Sequence, residues 1–177
     1  MTYEDYLDGR RKLRCIQRFS MEAVIKPQNL CDHGYNVATM FYVVMKSMGE
    51  SVSAETIFYV LQHDFVEHIT GDLNVLVKTY NPETSEAWGT IEDIMVPAKL
   101  MDYTDSGLKR VLTPIEHKVF KFCDSLVAWI YCLEEKSLGN TNLSNAIRYY
   151  GAKLHDSAKT HKVLEEILEQ TRGRFMW

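Results

Sequence analysis

Apolar residues recur every three or four positions along most of the chain, and this spacing predicts amphipathic helices. The clearest case lies in residues 37–48, where Val37, Phe41 and Val44 share one helical face. Gly49 follows at a point where a helix commonly ends. Glycine and proline are sparse, and no long alternation of apolar and polar residues predicts a strand. The pattern therefore predicts an all-α protein.

Capping residues and the same apolar spacing predict seven consecutive helices. Ser53 and Asn81 are placed as N-caps, and Thr113 with Glu116 has the spacing of a capping box. The predicted helices cover residues 3–18, 33–48, 53–64, 81–103 with a kink at Pro97, 113–138, 143–154 and 157–170. Because no repeat, low-complexity tract or linker interrupts them, residues 1–177 are predicted to form a single-domain helical bundle.

The composition is that of a globular protein with one core, since 46% of the residues are hydrophobic and 25% are charged. The most apolar stretch, residues 119–133, contains Lys121 and Asp124 and is shorter than a bilayer span, so we expect no membrane partner. The acidic N-terminus shows no signal peptide. The four cysteines form no C-x-x-C pair, which favours reduced thiols and a cytoplasmic protein.

The formal net charge of −4 argues against a nucleic-acid polymer as the main partner. Local cations in a pocket can outweigh that global sign, so a small phosphorylated ligand is compatible with it. The charge therefore favours a small-molecule partner without naming it.

Ionisable side chains in apolar helical surroundings are the candidates for chemistry. Asp124 lies in such a stretch, where a carboxylate is costly unless a cation or several donors satisfy it. His63-Asp64 ends the third predicted helix, and His33 lies where the second begins. A salt bridge or a half-exposed position would also explain Asp124, and a structural role would explain His33. Together, however, two imidazoles and two carboxylates suit Zn²⁺, Mn²⁺, Co²⁺ or Fe²⁺, and separate helices of a bundle can bring them together.

The His-Asp dipeptide is a weak signal by itself, because His155-Asp156 has the same letters. Lys153, Lys159 and His161 surround that second copy, and no further ligand candidates follow it at a useful position. We interpret it as a solvated helix junction.

The order His33, His63-Asp64 and Asp124 is the signature of the HD-domain superfamily. Longer blocks extend the match: Gln17-Arg18-Phe19, Asn29-Leu30-Cys31-Asp32-His33, residues 63–73 and Lys121-Phe122-Cys123-Asp124-Ser125-Leu126. In these blocks the chain resembles the bacterial 5′-deoxynucleotidases and the compact phage-type dATP triphosphohydrolases. Residues 63–73 are the most specific part of the match. The resemblance implies an HD-type helical fold and metal-dependent hydrolysis of deoxynucleotides.

The resemblance also implies roles for individual residues. One divalent metal ion (Co, Mn, Zn or Mg) would be held by His33, His63, Asp64 and Asp124, with Glu67 as the catalytic carboxylate and Arg18 as a phosphate ligand. Glu67 follows Asp64 by one predicted helical turn, so both carboxylates can face one site. A carboxylate beside a cation can serve as a base. The alternative for Glu67 is an exposed surface position.

Substrate contacts are implied by the resemblance for Arg18, Phe19, Met21, Asp72, Leu76, Lys78 and Lys121. Lys78 and Lys121 match phosphate-contacting lysines, although Lys78 could equally be an ordinary exposed side chain. Asp72 matches the carboxylate that contacts the sugar 3′-hydroxyl, and its alternative role is to help bind a second Mg²⁺. Phe19 stands where these enzymes place an aromatic ring, often tryptophan, against the deoxyribose, which would favour deoxy substrates. Met21 and Leu76 match the base pocket and offer no hydrogen bond to a base.

The sequence thus predicts a hydrolase that removes the 5′-phosphate group or groups from 2′-deoxynucleotides. The short chain is closer to the compact phage enzymes, which favours a dNTP such as dATP, giving a deoxynucleoside plus triphosphate. The alternative substrate is a dNMP. Alternatives of other kinds are a non-catalytic nucleotide-sensing helical module and a hydrolase of another phosphoester. Relatives assemble as dimers or larger rings, so we expect a homo-oligomer, dimer or hexamer.

Overall fold

The computed structural model describes residues 3–73, 81–95 and 111–175, and their backbone is largely helical. Eight helices follow one another in these residues: α1 (Tyr3–Leu13), α2 (Leu30–Ser47), α3 (Ala54–Leu61), α4 (Glu67–Thr70), α5 (Pro82–Met95), α6 (Pro114–Ser137), α7 (Ser144–Ala158) and α8 (Lys162–Phe175). The described residues contain no β-sheet, only one isolated bridge between Gln17 and Asn29. The predicted all-α fold class is confirmed.

Polar side chains cap the helices at the positions that the sequence predicts. Ser53 accepts a hydrogen bond from the backbone N–H of Thr56 at 2.9 Å, and Asn81 accepts one at 2.7 Å from the backbone N–H three residues later. At α6 the side chains of Thr113 and Glu116 each accept from the other residue's backbone N–H, which completes a capping box. These bonds satisfy N–H groups that have no partner within the helix, so they fix where α3, α5 and α6 begin.

Helix α6 is the centre of the core, and α2, α7 and α8 pack against it. It is buried around most of its circumference, with Phe120, Phe122, Leu126 and Trp129 at 4% exposure or less. A helix that is apolar on all sides is stable only when its neighbours cover it, and burial of one Phe or Leu side chain contributes about 1.5–3 kcal/mol. Half-buried Asp124 is therefore a break in a continuous apolar surface.

A smaller apolar cluster joins α1 to the start of α2 and to the chain before α4. Its buried members are Leu13, Leu30, Phe65 and Val66. Gly9 allows the close approach of α1, because a Cβ atom there would lie 2.7 Å from Cζ of Phe65. This cluster fixes residues 62–66, the turn that contains His63 and Asp64.

The first helix ends at Leu13, so the prediction that it continues to Arg18 is wrong. Beyond Leu13 the backbone pairs with the residues before α2: the N–H of Arg18 donates to the carbonyl of Gln28 at 2.8 Å, and the N–H of Leu30 donates to the carbonyl of Ile16 at 3.1 Å. These bonds between distant residues replace the helical ones. We refer to residues 14–29 as the α1–α2 segment.

The third helix also ends earlier than predicted, at Leu61 instead of at Asp64. Tight turns follow it, in which the N–H of Phe65 donates to the carbonyl of Gln62 at 2.8 Å and the N–H of Glu67 donates to that of Asp64 at 2.9 Å. Glu67 then opens the short helix α4. His63 and Asp64 consequently lie on a turn between two helices, where adjacent side chains can point in similar directions more easily than on a helix.

Other predicted boundaries shift by a few residues. Helix α2 begins at Leu30, before the predicted start at His33, because Asn29 caps it. Helix α7 continues to Ala158, which is buried and extends the apolar face of Tyr150 and Leu154, so α8 spans Lys162–Phe175 instead of residues 157–170. The predicted extension of α5 to residue 103, with its kink at Pro97, lies outside the described residues.

No helix in the described part of the chain is both long and apolar enough to span a bilayer.

Candidate metal centre and active site

Four ionisable side chains meet at one place, although they are far apart in sequence. His33 comes from the first turns of α2, His63 and Asp64 from the turn after α3, and Asp124 from the middle of α6. His33 is fully buried and His63 is 9% exposed. Gly34 permits the approach of α2 to α3, since a Cβ atom there would lie 3.1 Å from the Leu61 carbonyl oxygen.

The atoms that could bind a metal face one another at short range. Nε2 of His33 lies 3.0 Å from Oδ1 of Asp124 and 3.9 Å from Oδ2 of Asp64. Nε2 of His63 lies 3.2 Å from Oδ1 of Asp64 and 3.9 Å from Oδ1 of Asp124. Ligands at about 2.0–2.2 Å from a shared ion lie roughly 3–4 Å from one another. Each imidazole therefore lies at the spacing of a shared coordination sphere from both carboxylates.

Neighbouring groups orient the His63 ring for this task. Its Nδ1 lies 2.8 Å from the carbonyl oxygen of Val60, which can only accept, so Nδ1 carries the proton and donates it. The Phe120 ring packs against the imidazole with 5.1 Å between centroids. Nε2 is thereby left to face Asp64 and Asp124, which is the tautomer and orientation a metal ligand needs.

The electrostatics of the cluster favour a cation. Burial opposes ionisation of Asp64 and Asp124, but the imidazoles of His63 and His33 hold the pKa of both carboxyl groups well below the usual range. Burial alone would lower the pKa of His63, yet the two carboxylates raise it to about 9. Burial and the Arg18 guanidinium lower the pKa of His33 to about 4. Two ionised carboxylates thus surround a point where a proton on His63 supplies positive charge, and a divalent cation could replace that proton.

Unsatisfied buried atoms are a second observation that fits a divalent metal ion. Nε2 of His63 and Oδ2 of Asp64 are buried and make no hydrogen bond to the described residues, and their ion-pair partners lie 3.2 and 3.5 Å away. Buried polar atoms without a hydrogen bond are costly, so an ion between them would be favoured. Ligand atoms of His33, His63 and Asp64 all lie within 4.8 Å of one another. Imidazole nitrogens and carboxylate oxygens are the donors that zinc, manganese and cobalt ions accept.

Arg18 and Glu67 adjoin this cluster. Nη1 of Arg18 lies 3.5 Å from Oδ2 of Asp64, and the Arg18 side chain is only 11% exposed. Burial alone would lower the pKa of Arg18, but the charges of Asp64 and of other nearby acidic groups raise it, so the guanidinium stays protonated. Glu67 is 6% exposed and follows Asp64 by one tight turn. A buried guanidinium therefore meets one candidate ligand, and a buried glutamate follows the same ligand by one turn of the backbone.

Comparison with protein families finds a match to the 5′-deoxynucleotidase YfbR-like family over residues 5–170. The chain belongs to the YfbR-like 5′-deoxynucleotidase family. One relative of this YfbR-like chain is a 5′-deoxynucleotidase of Photorhabdus laumondii, which is 31% identical over 150 residues, covering 77% of this chain and 76% of the relative.

Solved structures share the fold of this YfbR-like chain. An HD-domain phosphohydrolase from Listeria innocua superimposes with a TM-score of 0.79 at 20% identity, covering 98% of this chain and 90% of its own. The HD phosphohydrolase of cyanophage S-2L, solved with dA and one catalytic Zn²⁺ ion, superimposes with a TM-score of 0.70 at 20% identity, covering 95% of each chain. The predicted HD-type fold is confirmed. Membership of the YfbR-like 5′-deoxynucleotidase family makes the chain a hydrolytic enzyme.

The remaining predicted substrate residues differ in where this YfbR-like fold places them. Lys121 lies near enough to Asp124 that its charge lowers the pKa of the Asp124 carboxyl group. Asp72 is half-buried and lies near enough to Arg18 that its charge raises the pKa of the Arg18 guanidinium. Met21 is 74% exposed. Leu76 and Lys78 lie outside the described residues.

Phe19 is more enclosed than a ring that faces only a substrate. It is 8% exposed, and it stacks on Tyr131 with 5.5 Å between centroids. The Arg18 guanidinium lies 5.9 Å from the same ring. The backbone of Phe19 has φ +54°, a left-handed conformation that costs a non-glycine residue about 1 kcal/mol or more. The surroundings of Phe19 must therefore hold it in place.

A polar group that the sequence pattern does not reveal contacts the α1–α2 segment. Tyr131, Glu135 and Asn140 lie on α6 and just beyond it, and we call them the α6 anchor. Glu135 is 1% exposed although its neighbours Glu134 and Lys136 are exposed. A Glu-Glu-Lys sequence at a helix end is typical of a solvated face, so the sequence gives no sign of this burial. The His155-Asp156 pair, by contrast, is exposed as predicted, although it lies within the last turn of α7 and not at a junction.

Proposed function

We propose that this YfbR-like enzyme hydrolyses the 5′-phosphoester of 2′-deoxynucleotides with a divalent metal ion held by His33, His63, Asp64 and Asp124. The observation that carries the proposal is the convergence of these four side chains from three separate parts of the fold, with 3.0–3.9 Å between facing atoms. A divalent ion held there would supply Lewis acidity towards a phosphoryl oxygen and lower the pKa of a water molecule.

Glu67 is the residue that we assign as the general base. It is buried within one turn of Asp64, so its carboxylate can take the proton that the attacking water loses. A base in a site shielded from bulk solvent keeps the proton close for transfer to the leaving deoxynucleoside oxygen.

Arg18 and Lys121 are the residues that we assign to the phosphate. Because Arg18 stays protonated while buried, its guanidinium can donate two parallel hydrogen bonds to phosphoryl oxygens. Lys121 adds a positive charge next to Asp124. Charge that develops on the phosphoryl oxygens in the transition state would be stabilised most by donors that are already in place. Lys78 would add a third cation in the part of the chain that is not described.

The deoxyribose is the part of the substrate that we assign to Phe19 and Asp72. Asp72 lies close enough to Arg18 to interact with its charge, so one substrate could reach both residues. A carboxylate can accept a hydrogen bond from the 3′-hydroxyl, while a ring packed against C2′ leaves neither room nor a partner for a 2′-hydroxyl.

The number of phosphates distinguishes two versions of this proposal. The 5′-deoxynucleotidase relatives favour a dNMP, which gives a deoxynucleoside plus phosphate. The resemblance of the motif blocks to the compact phage-type dATP triphosphohydrolases favours a dNTP, which gives the same deoxynucleoside plus triphosphate. We place the monophosphate first because the family match rests on most of the chain.

A panel of substrates tests the proposal. Purified protein is incubated with Mn²⁺ or Co²⁺ and with each dNMP, dNTP, NMP and NTP, and phosphate, triphosphate and nucleoside are quantified. We expect deoxynucleoside to form from deoxy substrates with phosphate as the second product. Triphosphate release would instead identify the dNTP version, and release of neither product would support a nucleotide-sensing module.

The chain contains its own control for this assay. His63→Ala removes one candidate ligand, whereas His155→Ala makes the same change in the exposed His-Asp pair on α7. We expect His63→Ala to lose turnover and His155→Ala to keep it. Full activity in His63→Ala would contradict the assignment of the site.

A further inference from the structure

The α1–α2 segment carries Arg18 and Phe19 to the metal centre, and polar contacts hold the second half of this segment. The backbone N–H groups of Ile25 and Lys26 donate to the two carboxylate oxygens of Glu135, each at 2.7 Å. The side-chain amide of Asn140 donates to the Ala23 carbonyl at 2.8 Å. These bonds connect residues more than 100 positions apart in sequence.

The members of the α6 anchor also support one another. The Asn140 amide donates to Glu135 at 2.7 Å, so the buried carboxylate accepts three hydrogen bonds. The Tyr131 hydroxyl donates to the Lys26 carbonyl at 3.1 Å, and the same tyrosine ring stacks on Phe19. Tyr131 therefore connects the held backbone directly to a residue of the site.

One side of this part of the segment faces an open pocket. The pocket has a volume of about 250 Å³ and is lined by Lys26, Pro27 and Gln28 and by Tyr131, Glu134 and Glu135 among others. A segment that borders an open pocket is packed on one side only, so its hydrogen bonds contribute to fixing its position. The left-handed backbone of Phe19 makes these hydrogen bonds more important, because a strained residue relaxes when its supports are removed.

The anchor and the metal centre lie on the same rigid element. Asp124, Tyr131 and Glu135 all lie on α6, and at 1.5 Å per residue Glu135 is about 16 Å along the helix from Asp124. A helix buried on most sides cannot bend easily, so α6 fixes the distance between the ion site and the point where the segment is held. Arg18, in the first half of the segment, lies 3.5 Å from Asp64 at the other end of this arrangement.

We propose that Glu135, with Tyr131 and Asn140, is a positioning residue that sets Arg18 and Phe19 over the metal centre and thereby sets substrate affinity and the preference for deoxyribose. This role rests on the proposed function. Glu135 lies about 16 Å along α6 from Asp124, so it acts through the backbone of Ile25 and Lys26 and through Asn140. A carboxylate is required because it accepts from two neighbouring N–H groups at once, whereas the NH₂ group of a glutamine would face one of them.

The test compares Glu135→Gln with Glu134→Gln, the same change on the exposed neighbouring residue. For Glu135→Gln we expect KM for the preferred deoxynucleotide to rise roughly tenfold and the ratio of kcat/KM for the deoxy over the ribo substrate to fall by roughly fivefold or more. Bound metal per chain should equal that of the wild type. Hydrogen exchange at the amides of Ile25 and Lys26 should become faster. Glu134→Gln should match the wild type in every measurement.

A purely structural role would give a different result. Loss of folded protein lowers kcat in proportion and leaves both KM and the deoxy-to-ribo ratio unchanged, and this outcome would overturn the proposal. If Glu135→Gln does not fold, Tyr131→Phe takes its place, because it removes the hydroxyl donor and keeps the ring against Phe19. For Tyr131→Phe we expect KM to rise roughly two- to fivefold and the deoxy-to-ribo ratio to fall. An unchanged KM would overturn the positioning role.

The two proposals fail in distinguishable ways. Wild-type protein without turnover on any deoxynucleotide would overturn the proposed function, whereas turnover with an equal KM in both Glu135→Gln and the wild type would overturn the positioning role alone. If turnover is absent, the Kd of dAMP for the Mn²⁺-loaded protein replaces KM. An equal Kd, or no binding by the wild type, then overturns the positioning role.

Discussion

Burial opposes the charge of every ionisable side chain at the candidate metal centre, so each charge depends on its neighbours. Asp64 and Asp124 keep their negative charge because the imidazoles of His63 and His33 stabilise it, and Arg18 keeps its positive charge because nearby carboxylates do the same. The site is therefore a set of mutually dependent charges. Removal of a metal ligand should disturb the charges of all these side chains. Removal of a side chain outside the coordination sphere should affect only the role of that side chain.

Glu67→Gln tests the distinction between metal ligands and side chains outside the coordination sphere. The change keeps the size of the side chain and removes the ability to take a proton, so we expect kcat to fall by roughly 10²–10⁴-fold with bound metal per chain unchanged. Steady-state kinetics and metal analysis on the same preparation check this. A kcat close to that of the wild type would show that another group accepts the proton, and loss of metal would show that Glu67 belongs to the ligand set.

Close contacts between particular elements place the site residues. Helix α1 approaches the turn that carries His63 and Asp64 only because residue 9 is glycine, and α2 approaches the end of α3 at Gly34. Bonds between the α1–α2 segment and α6 complete this arrangement. Small residues and buried hydrogen bonds thus determine the geometry at the level of helices.

Gly9→Ala should destabilise the protein, because the new Cβ atom would lie 2.7 Å from Cζ of Phe65 and one of the two elements would have to move. Overpacking of this kind typically costs about 1–3 kcal/mol in the free energy of unfolding, measured by urea denaturation. Gly173→Ala is the control, since it also lies in a helix and its Cβ atom would meet nothing within 4 Å. That change should be neutral or stabilise by about 0.5–1 kcal/mol. Equal effects of the two changes would contradict the close approach of α1.

The contribution of Glu135 to stability should depend on pH. Burial would raise its pKa, but the hydrogen bonds from Asn140, Ile25 and Lys26 lower it, so the folded state binds fewer protons at this group than the unfolded chain. The stabilisation is therefore complete above the ordinary glutamate pKa of about 4.3 and is lost as the pH falls through the lower pKa of the folded state.

Urea unfolding of the wild type and Glu135→Gln over this range of pH measures the effect. We expect Glu135→Gln to be less stable by about 1–3 kcal/mol at pH 7, the cost of disrupting a buried hydrogen-bonded group, with the difference shrinking below pH 4. Glu134→Gln should show no such trend. A difference that stays constant or grows as the pH falls would contradict the hydrogen-bonded carboxylate.

At the scale of the whole molecule, the sequence allows prediction of those features that depend on local pattern. Helical periodicity predicted the helices, and the capping residues Ser53, Asn81 and Thr113 predicted where three of them begin. The order of His33, His63-Asp64 and Asp124 identified the superfamily, and the structure brings those residues together.

Features that depend on contacts between distant residues could not be predicted in the same way. The end of α1 at Leu13 follows from backbone pairing between residues 16–18 and 28–30, which no local pattern reveals. The α6 anchor was missed for the same reason, since the partners of Glu135 lie about 110 residues earlier in the chain. The predicted homo-oligomer stays a prediction.

The central claim is that α2, the turn after α3 and α6 together bind one divalent ion. Anomalous diffraction from crystals grown with Co²⁺ or Mn²⁺ tests it most directly. We predict one strong anomalous peak per chain, about 2.0–2.3 Å from ligand atoms of His33, His63, Asp64 and Asp124. A well-ordered site without a peak between these side chains, or a peak that excludes Asp124 or either histidine, would contradict the account.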